Sequence, residues 1–185
     1  MRIISGKFKG HNLVSFKANH IRPTTDRVKE TLFNKIMFDL EGARVLDLFC
    51  GTGNLGLEAL SRGAVHVTFV DAHKQSLLIT RENIAKLKID KSDYMAIQKD
   101  VLGFLKSYEG EPFDIIFADP PFTQKMAHDV MLAAAGSQAF GDNTILTIES
   151  ERKERMDEVY APLVRYDVRE FGDKVLSFFH KNKES

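Results

Sequence analysis

Short apolar runs alternate with amphipathic stretches along the chain from residue 44 onward. The apolar runs predict β-strands near 44–49, 65–70, 94–98, 113–118, 144–149, 163–170 and 174–180. Apolar positions at helical spacing predict helices near 25–38, 54–62, 73–88, 101–107, 124–135 and 153–159. Strands separated by helices favour a parallel sheet covered on both faces. Only Gly172-Asp173 joins the last two strands, so we expect an antiparallel hairpin at the end of a seven-stranded, mainly parallel sheet.

The first residues follow a different pattern. Apolar and polar positions alternate over residues 1–20 and are interrupted by Gly6 and Gly10, which predicts a small twisted β-hairpin with basic side chains on its exposed face. We therefore divide the chain into a basic N-terminal hairpin extension, residues 1–22, and one α/β domain, residues 23–185. A length of 185 residues with 43% hydrophobic content is enough for one full core.

A glycine-rich loop stands at the centre of the predicted domain. Within residues 45–60 an apolar run breaks into Gly51-x-Gly53-x-x-Gly56, which predicts a buried strand, a tight loop and a helix. Glycine allows left-handed backbone angles and close approach to a ligand, so the loop is predicted to hold a nucleotide-like cofactor. In the following helix we expect Glu58 to face outward. The glycine pattern alone leaves nicotinamide, flavin and S-adenosylmethionine cofactors open.

Acidic residues at the ends of three predicted strands narrow this choice. Asp47 would crowd the pyrophosphate of a dinucleotide but suits the amino group of a methionine moiety. Asp71 lies about where an acid bonds ribose hydroxyls, with a helix N-cap as the alternative. Asp100 is placed to accept from an adenine amino group, to cap the next helix, or both.

A second motif, Asp119-Pro120-Pro121-Phe122, follows the predicted strand at 113–118. Two prolines fix an extended loop that presents a carboxylate and an aromatic ring. The amino group of a nucleobase is a poor nucleophile because its lone pair is delocalised into the ring. Hydrogen bonds to the Asp119 carboxylate and the Pro120 carbonyl would localise that lone pair, while Phe122 stacks on the base. The loop therefore predicts transfer of a group to a flipped base.

Charge is unevenly placed along a chain of zero net charge. Residues 1–30 carry seven Lys and Arg against Asp26 and Glu30, so this part is +5 and the remainder is −5. Arg22, Thr25 and Arg27 crowd one predicted helix start, which indicates a phosphate or carboxylate clamp. The alternative is that these arginines pair with the two nearby acids. A basic face on a mildly acidic body fits a polyanionic partner.

Cysteine content and hydropathy bear on the compartment. One cysteine excludes an intramolecular disulfide and fits a reducing cytosol. No run has the length of a membrane span, and the first residues lack the apolar core of a signal peptide. We expect a cytoplasmic monomer with no metal and no membrane partner.

Together these motifs carry a family resemblance. Residues 45–56 with Asp119-Pro-Pro-Phe122 resemble class I S-adenosylmethionine-dependent amino-methyltransferases, whose fold is Rossmann-like. The segments 2–7 and 22–30 resemble more narrowly the bacterial RsmD-type enzymes, which methylate a guanine N2 of 16S ribosomal RNA. Phe122 stands where tyrosine is common in that family, and Asp71 stands where glutamate is common. A DNA adenine or cytosine amino-methyltransferase and a non-catalytic RNA-binding assembly factor remain as alternatives.

The resemblance implies S-adenosylmethionine as cofactor and 16S rRNA, or the 30S subunit, as partner. The residues implied to bind the cofactor are Asp47, Phe49, Gly51, Thr52, Gly53, Asn54, Gly56, Asp71, Ala72, Asp100 and Val101. Those implied to act on the base are Asp119, Pro120 and Phe122. Those implied to face RNA are Arg2, Lys7, Lys9, Arg22, Thr25 and Arg27.

Overall fold

The computed structural model describes residues 1–16, 26–122 and 126–182. The strands are β1 Arg44–Leu48, β2 His66–Asp71, β3 Tyr94–Gln98, β4 Phe113–Ala118, β5 Phe140–Glu151, β6 Val159–Tyr160, β7 Leu163–Phe171 and β8 Lys174–Lys181. The α-helices are α1 Asp26–Lys35, α2 Asn54–Ser61, α3 Lys74–Lys86, α4 Val101–Lys106 and α5 Ala127–Ala135. A 3-10 turn, Lys91–Asp93, precedes β3.

The described strands form one eight-stranded sheet in the order β3-β2-β1-β4-β5-β8-β7-β6. The first five strands pair in parallel, and the last three continue the sheet by antiparallel pairing. The predicted α/β fold and its C-terminal antiparallel hairpin are therefore confirmed. The hairpin turns at Gly172, whose φ of 61° favours glycine, and Phe171 pairs with Lys174.

Strand order places a crevice between β1 and β4. After β1 the chain crosses over to β2 and β3 on one side, whereas β4 and β5 lie on the other side. The register aligns Leu48 at the end of β1 with Val70 in β2 and with Ala118 at the end of β4. Ligands of open α/β sheets bind at such a point, outside the carboxyl ends of the strands.

Apolar side chains cover both faces of the sheet. One layer packs α1, α2 and α3 against the sheet, and in it Phe33 meets Phe117 edge to face with 5.5 Å between ring centroids. The other layer packs α4 and α5 and contains Leu46, Met131 and Phe179. Burial on both faces explains why the central strands read as continuous apolar runs.

The predicted helix at 153–159 is wrong, and the predicted count of seven strands is one too few. This segment bends and then forms the two-residue strand β6. Its polar groups bond to neighbouring elements instead of to a helical turn: Glu154 Oε1 accepts from Ala127 N at 3.0 Å, and Asp157 N donates to Tyr160 Oη at 3.1 Å. Those tertiary bonds override the weak helical pattern.

The N-terminal segment pairs more sparingly than a hairpin of two strands. Within residues 1–16 one antiparallel bridge joins Arg2 to Asn12, flanked by bonds from Ile3 N to His11 O and from Leu13 N to Met1 O. Both Ile3 and Leu13 are buried in the core layer next to α2. The domain boundary that we placed between residues 22 and 23 lies outside the described residues.

Side chains of α2 and α3 hold this segment in place. Glu58 accepts hydrogen bonds from Ile4 N at 2.9 Å and Ser5 N at 3.0 Å, and Ser61 Oγ accepts from Phe8 N at 2.9 Å. Asn83 Oδ1 accepts from Val14 N at 2.7 Å. The backbone of the segment is thus hydrogen-bonded to helices α2 and α3. No helix among residues 1–16, 26–122 and 126–182 has the length and apolar character needed to cross a membrane.

Candidate active site

The two motif loops lie side by side in the crevice between β1 and β4. The glycine loop leaves β1 with Cys50 N donating to Val70 O at 3.1 Å. The second loop leaves β4 with Asp119 N donating to Leu48 O at 3.4 Å. Motifs separated by more than 60 residues in the sequence are therefore joined through the last residue of β1.

Backbone angles of the glycine loop match its predicted role. Phe49, Gly51 and Gly53 all have left-handed φ values, 57°, 56° and 79°. A Cβ on Gly56 would overlap the Phe69 ring and lie 3.0 Å from Asp47 Oδ2, so this glycine lets α2 approach the sheet. The loop leads directly into the first turn of α2, whose N-cap is Gly53.

Asp47 is a buried carboxyl at the base of this loop. It is 2% exposed, and its Oδ2 accepts from Gly56 N at 2.9 Å. Burial raises the pKa of Asp47 to about 7; the Gly56 amide opposes this rise, and the charge on Asp71 adds to it. A buried carboxyl of this kind gains strongly from a cationic ligand, because the cation offsets the loss of hydration.

The raised pKa of Asp47 makes the stability of the unliganded protein depend on pH. The folded chain holds the proton more tightly than the unfolded chain between pH 3.8 and about 7. The free energy of unfolding should therefore fall as the pH rises through this range, by at most about 4 kcal/mol. Asp47→Asn should remove this slope while keeping an acceptor for Gly56 N. Urea unfolding of both proteins from pH 5 to pH 8 checks this, and parallel profiles would contradict it.

Asp71 joins the glycine loop to the end of β2. Its Oδ2 accepts from Gly51 N at 3.0 Å and its Oδ1 accepts from His73 N at 2.8 Å. Helix α3 begins at Lys74 with His73 as its N-cap, so Asp71 supports the turn before the helix and is not the N-cap itself. Carboxylate oxygens accept more than one hydrogen bond, which leaves capacity for ribose hydroxyls.

Asp100 caps the next helix along the sheet. Its Oδ2 accepts from Gly103 N at 2.8 Å as the N-cap of α4, which confirms the capping role. The residue is exposed at the carboxyl end of β3, and Val101 behind it is buried. Ala72, which follows Asp71, is also exposed, and its carbonyl accepts from Gln98 Nε2 at 3.4 Å.

Two predicted cofactor residues, Asn54 and Thr52, form hydrogen bonds with helix α1 and with Met1. Asn54 Oδ1 accepts from Lys29 Nζ at 2.7 Å, and Thr52 Oγ1 donates to Met1 Sδ at 3.2 Å. The carbonyl of Thr52 also accepts from Asn83 Nδ2 at 3.0 Å. These contacts connect the loop to Met1 and to helices α1 and α3.

Sequence reasoning missed the buried ion pair behind these contacts. Glu58 is 0% exposed, so the expectation that it faces outward is wrong. Its carboxylate pairs with Lys29 Nζ at 2.7 Å and Arg62 Nε at 2.7 Å, besides the two amides of the N-terminal segment. Lys29 also donates to Arg2 O at 3.0 Å, and burial lowers the pKa of its ammonium, which the Glu58 charge partly opposes. The helix period shows only that Glu58 interrupts an apolar face, not that a distant segment covers it.

The second loop brings its acid and its aromatic ring to the same crevice. Asp119 is half-buried, Pro120 is buried, and Phe122 is half-buried beneath the ammonium group of Lys174. Pro121 is exposed. A rigid loop with one buried proline positions the carboxylate and the ring with little loss of conformational freedom on binding.

The basic residues assigned to RNA do not gather at one place: Lys7 N donates to Ser61 O at the far end of α2, away from the loop that opens this helix. Lys7 and Lys9 are exposed, and Arg27 lies over the Phe171 ring, 5.9 Å from its centroid. Arg2 forms a salt bridge with Asp26 at 3.1 Å. This ion pair would compete with a contact between Arg2 and an RNA phosphate. Arg22 and Thr25 lie outside the described residues. Within the described part of the chain, no three His, Cys, Asp or Glu residues gather as metal ligands would.

This fold, with the glycine loop and the Asp-Pro-Pro-Phe loop at its switch point, defines a Rossmann-like class I methyltransferase. Comparison with known proteins gives the family. A family profile described as Conserved hypothetical protein 95 matches residues 1–180, and the chain belongs to this family.

Its relatives include ribosomal RNA small subunit methyltransferase D from two bacteria. The Haemophilus influenzae protein is 37% identical over 82% of this chain and 79% of its own length. The Escherichia coli protein is 34% identical over 82% of this chain and 75% of its own length. The solved structure of Escherichia coli yhhF superposes with a TM-score of 0.87 at 30% identity, over 100% of this chain and 99% of that one.

Proposed function

We propose that this protein transfers the methyl group of S-adenosylmethionine to the exocyclic N2 of a guanine in small-subunit ribosomal RNA. The observation that carries the proposal is the hydrogen bond between Asp119 N and Leu48 O, which sets the Asp119-Pro-Pro-Phe122 loop against the strand that bears Asp47. A buried acid suited to a cationic cofactor and a carboxylate suited to an amine thus share one crevice.

The residues of the first loop fit S-adenosylmethionine. The buried carboxyl of Asp47 suits the ammonium of a methionine moiety, and the charge of such a ligand would favour the ionised form. Asp71 and Asp100 retain acceptor capacity at the ends of β2 and β3, where a ribose and an adenine would lie in sequence along the sheet edge. When bound, the cofactor supplies an electrophilic methyl group on a positively charged sulfur.

The residues of the second loop prepare the amine. The Asp119 carboxylate and the Pro120 carbonyl accept hydrogen bonds from the two amino hydrogens, which returns lone-pair density to the nitrogen. Phe122 stacks on the base and aligns the amine, so that much of the barrier is lowered by positioning. Asp119 is also the nearest group in the motif to receive the amine proton after transfer.

RNA is the polyanion that best matches the charge distribution. Residues 1–30 carry a net charge of +5 and the remainder −5, with Lys7 and Lys9 exposed near the end of α2 and Arg27 at the start of α1 lying over Phe171. Phosphate contacts of this kind position a substrate without reading its bases. The base-specific choice falls to the pocket, and the relatives named above act on small-subunit ribosomal RNA.

Transfer of radiolabelled methyl groups tests this proposal. The purified protein is incubated with labelled S-adenosylmethionine and, in parallel, 30S subunits, naked 16S RNA or duplex DNA, and the products are digested to nucleosides. Label in N2-methylguanosine supports the proposal and shows which form of the RNA is the substrate. Label in DNA amino groups would indicate a DNA methyltransferase, and cofactor binding without any transfer would indicate an assembly factor.

A further inference from the structure

A buried lysine lies against the aromatic ring of the base-binding loop. Lys174 is the first residue of β8, directly after the β7–β8 turn, and it is 8% exposed. Its Nζ lies over the Phe122 ring, 5.0 Å from the ring centroid. A lysine this strongly buried is unusual at the tip of a hairpin, where its side chain would ordinarily extend into water.

An acid on the neighbouring strand balances the charge of this lysine. Lys174 Nζ lies 2.8 Å from Glu149 Oε2, and Glu149 is 3% exposed near the end of β5. The pair fixes the ammonium between the sheet and the ring. A cation held over an aromatic face and shielded from water attracts the ring quadrupole more strongly than an exposed cation does.

The contact with Lys174 bears on the orientation of the Phe122 ring. Phenylalanine lacks the hydroxyl group of the tyrosine that is common at this position in the resembled family, so no hydrogen bond from the ring can set its orientation. The ammonium occupies one face of the ring. A base that stacks on this ring must therefore use the opposite face.

We propose that Lys174 is a positioning residue, which holds the Phe122 ring by a cation–π contact so that its opposite face stacks on the flipped base. This inference rests on the proposed function and names a determinant of substrate binding at the same site. On the other side of the β7–β8 turn, Phe171 lies under Arg27, one of the residues assigned to RNA. Lys174 therefore stands where the base pocket meets the surface assigned to RNA.

Steady-state methylation kinetics provide the first test. Lys174→Met keeps the chain length and removes the charge, and we expect it to raise the KM for RNA about 10-fold with the affinity for S-adenosylmethionine unchanged. Lys174→Arg keeps the cation and should stay within about 3-fold of the wild-type KM. Glu149→Gln combined with Lys174→Met removes the buried carboxylate together with the cation that it contacts, and should give the same KM as Lys174→Met alone.

A double-mutant cycle separates action through Phe122 from a general structural role. In a Phe122→Leu background, Lys174→Met should change the KM by less than about 2-fold, because the ring on which it acts is gone. An equal effect in both backgrounds, or a wild-type KM in Lys174→Met, would overturn the inference. If the unchanged protein methylates no RNA, the proposed function fails instead.

A fluorescence measurement tests the contact without any activity. The chain contains no tryptophan, so Phe122→Trp introduces a unique emitter into the loop. Adding Lys174→Ala should raise the acrylamide quenching constant of this emitter about 2-fold, since the ring loses the side chain that covers one face. Unchanged quenching would contradict the proposed contact even in a protein that methylates RNA.

Discussion

Replacing Asp119 with alanine is expected to lower the turnover number for RNA methylation by about 10²–10⁴-fold. In the proposed mechanism the carboxylate is the acceptor that makes the amine nucleophilic, and the motif has no second acidic side chain to replace it. Affinity for S-adenosylmethionine should stay the same, because the residues assigned to the cofactor lie at the ends of β1, β2 and β3 and not on the loop after β4. Single-turnover methylation and calorimetric titration of the cofactor measure the two quantities separately.

Two companion variants make this test specific. Asp119→Asn retains one acceptor oxygen and should fall between the wild type and Asp119→Ala. Asp129→Ala changes an exposed acid on α5 outside the crevice and should turn over like the wild type. If Asp119→Ala keeps full turnover, the carboxylate has no part in activating the amine.

Replacing Lys29 with methionine is expected to destabilise the protein by about 3 kcal/mol or more. The change leaves the Glu58 carboxylate buried with one of its cations gone, although Arg62 remains at 2.7 Å. It also removes the donors that Lys29 gives to Arg2 O and Asn54 Oδ1. The free energy of unfolding from urea titration at pH 7.5 measures the loss.

Surface and buried pairs on the same helix offer a matched control. Lys35, at the other end of α1, pairs with Asp167 at 2.9 Å and is 37% exposed, so Lys35→Met should cost less than about 1 kcal/mol. Combining Glu58→Gln with Lys29→Met removes the buried carboxylate that has lost one of its two cations, and should restore part of the lost free energy of unfolding. Equal losses for Lys29→Met and Lys35→Met would show that the buried pair is not a main support of the fold.

Local patterns predict the central strands and both motif loops because each is encoded by residues adjacent in the sequence. The apolar run before Gly51 and the run before Asp119 are continuous, as expected for strands buried on both faces. Gly172 likewise marks a turn, because the left-handed backbone angle needed there depends on that residue alone. The roles of the individual site residues stay predictions, although the structure brings the two loops together.

Long-range packing explains what the patterns do not predict. Glu58 would face solvent only if no other segment covered that side of α2. The backbone that covers it, at Ile4, lies 54 residues away in the sequence, so the local pattern does not reveal it. The role proposed for Lys174 depends on its contacts with Phe122 and Glu149, which lie in two other parts of the chain. Propensity at 153–159 likewise yields to bonds with α5 and Tyr160.

The attachment of residues 1–14 limits how such a protein can acquire a new substrate. Several of its backbone amides donate to side chains of α2 and α3, namely Glu58, Ser61 and Asn83. A foreign recognition segment grafted in its place would leave these buried acceptors unmatched and would loosen the cofactor loop that they frame. Substrate range in this architecture therefore changes by substitution along the existing segment, whereas modular exchange would require the recipient helices to change with it.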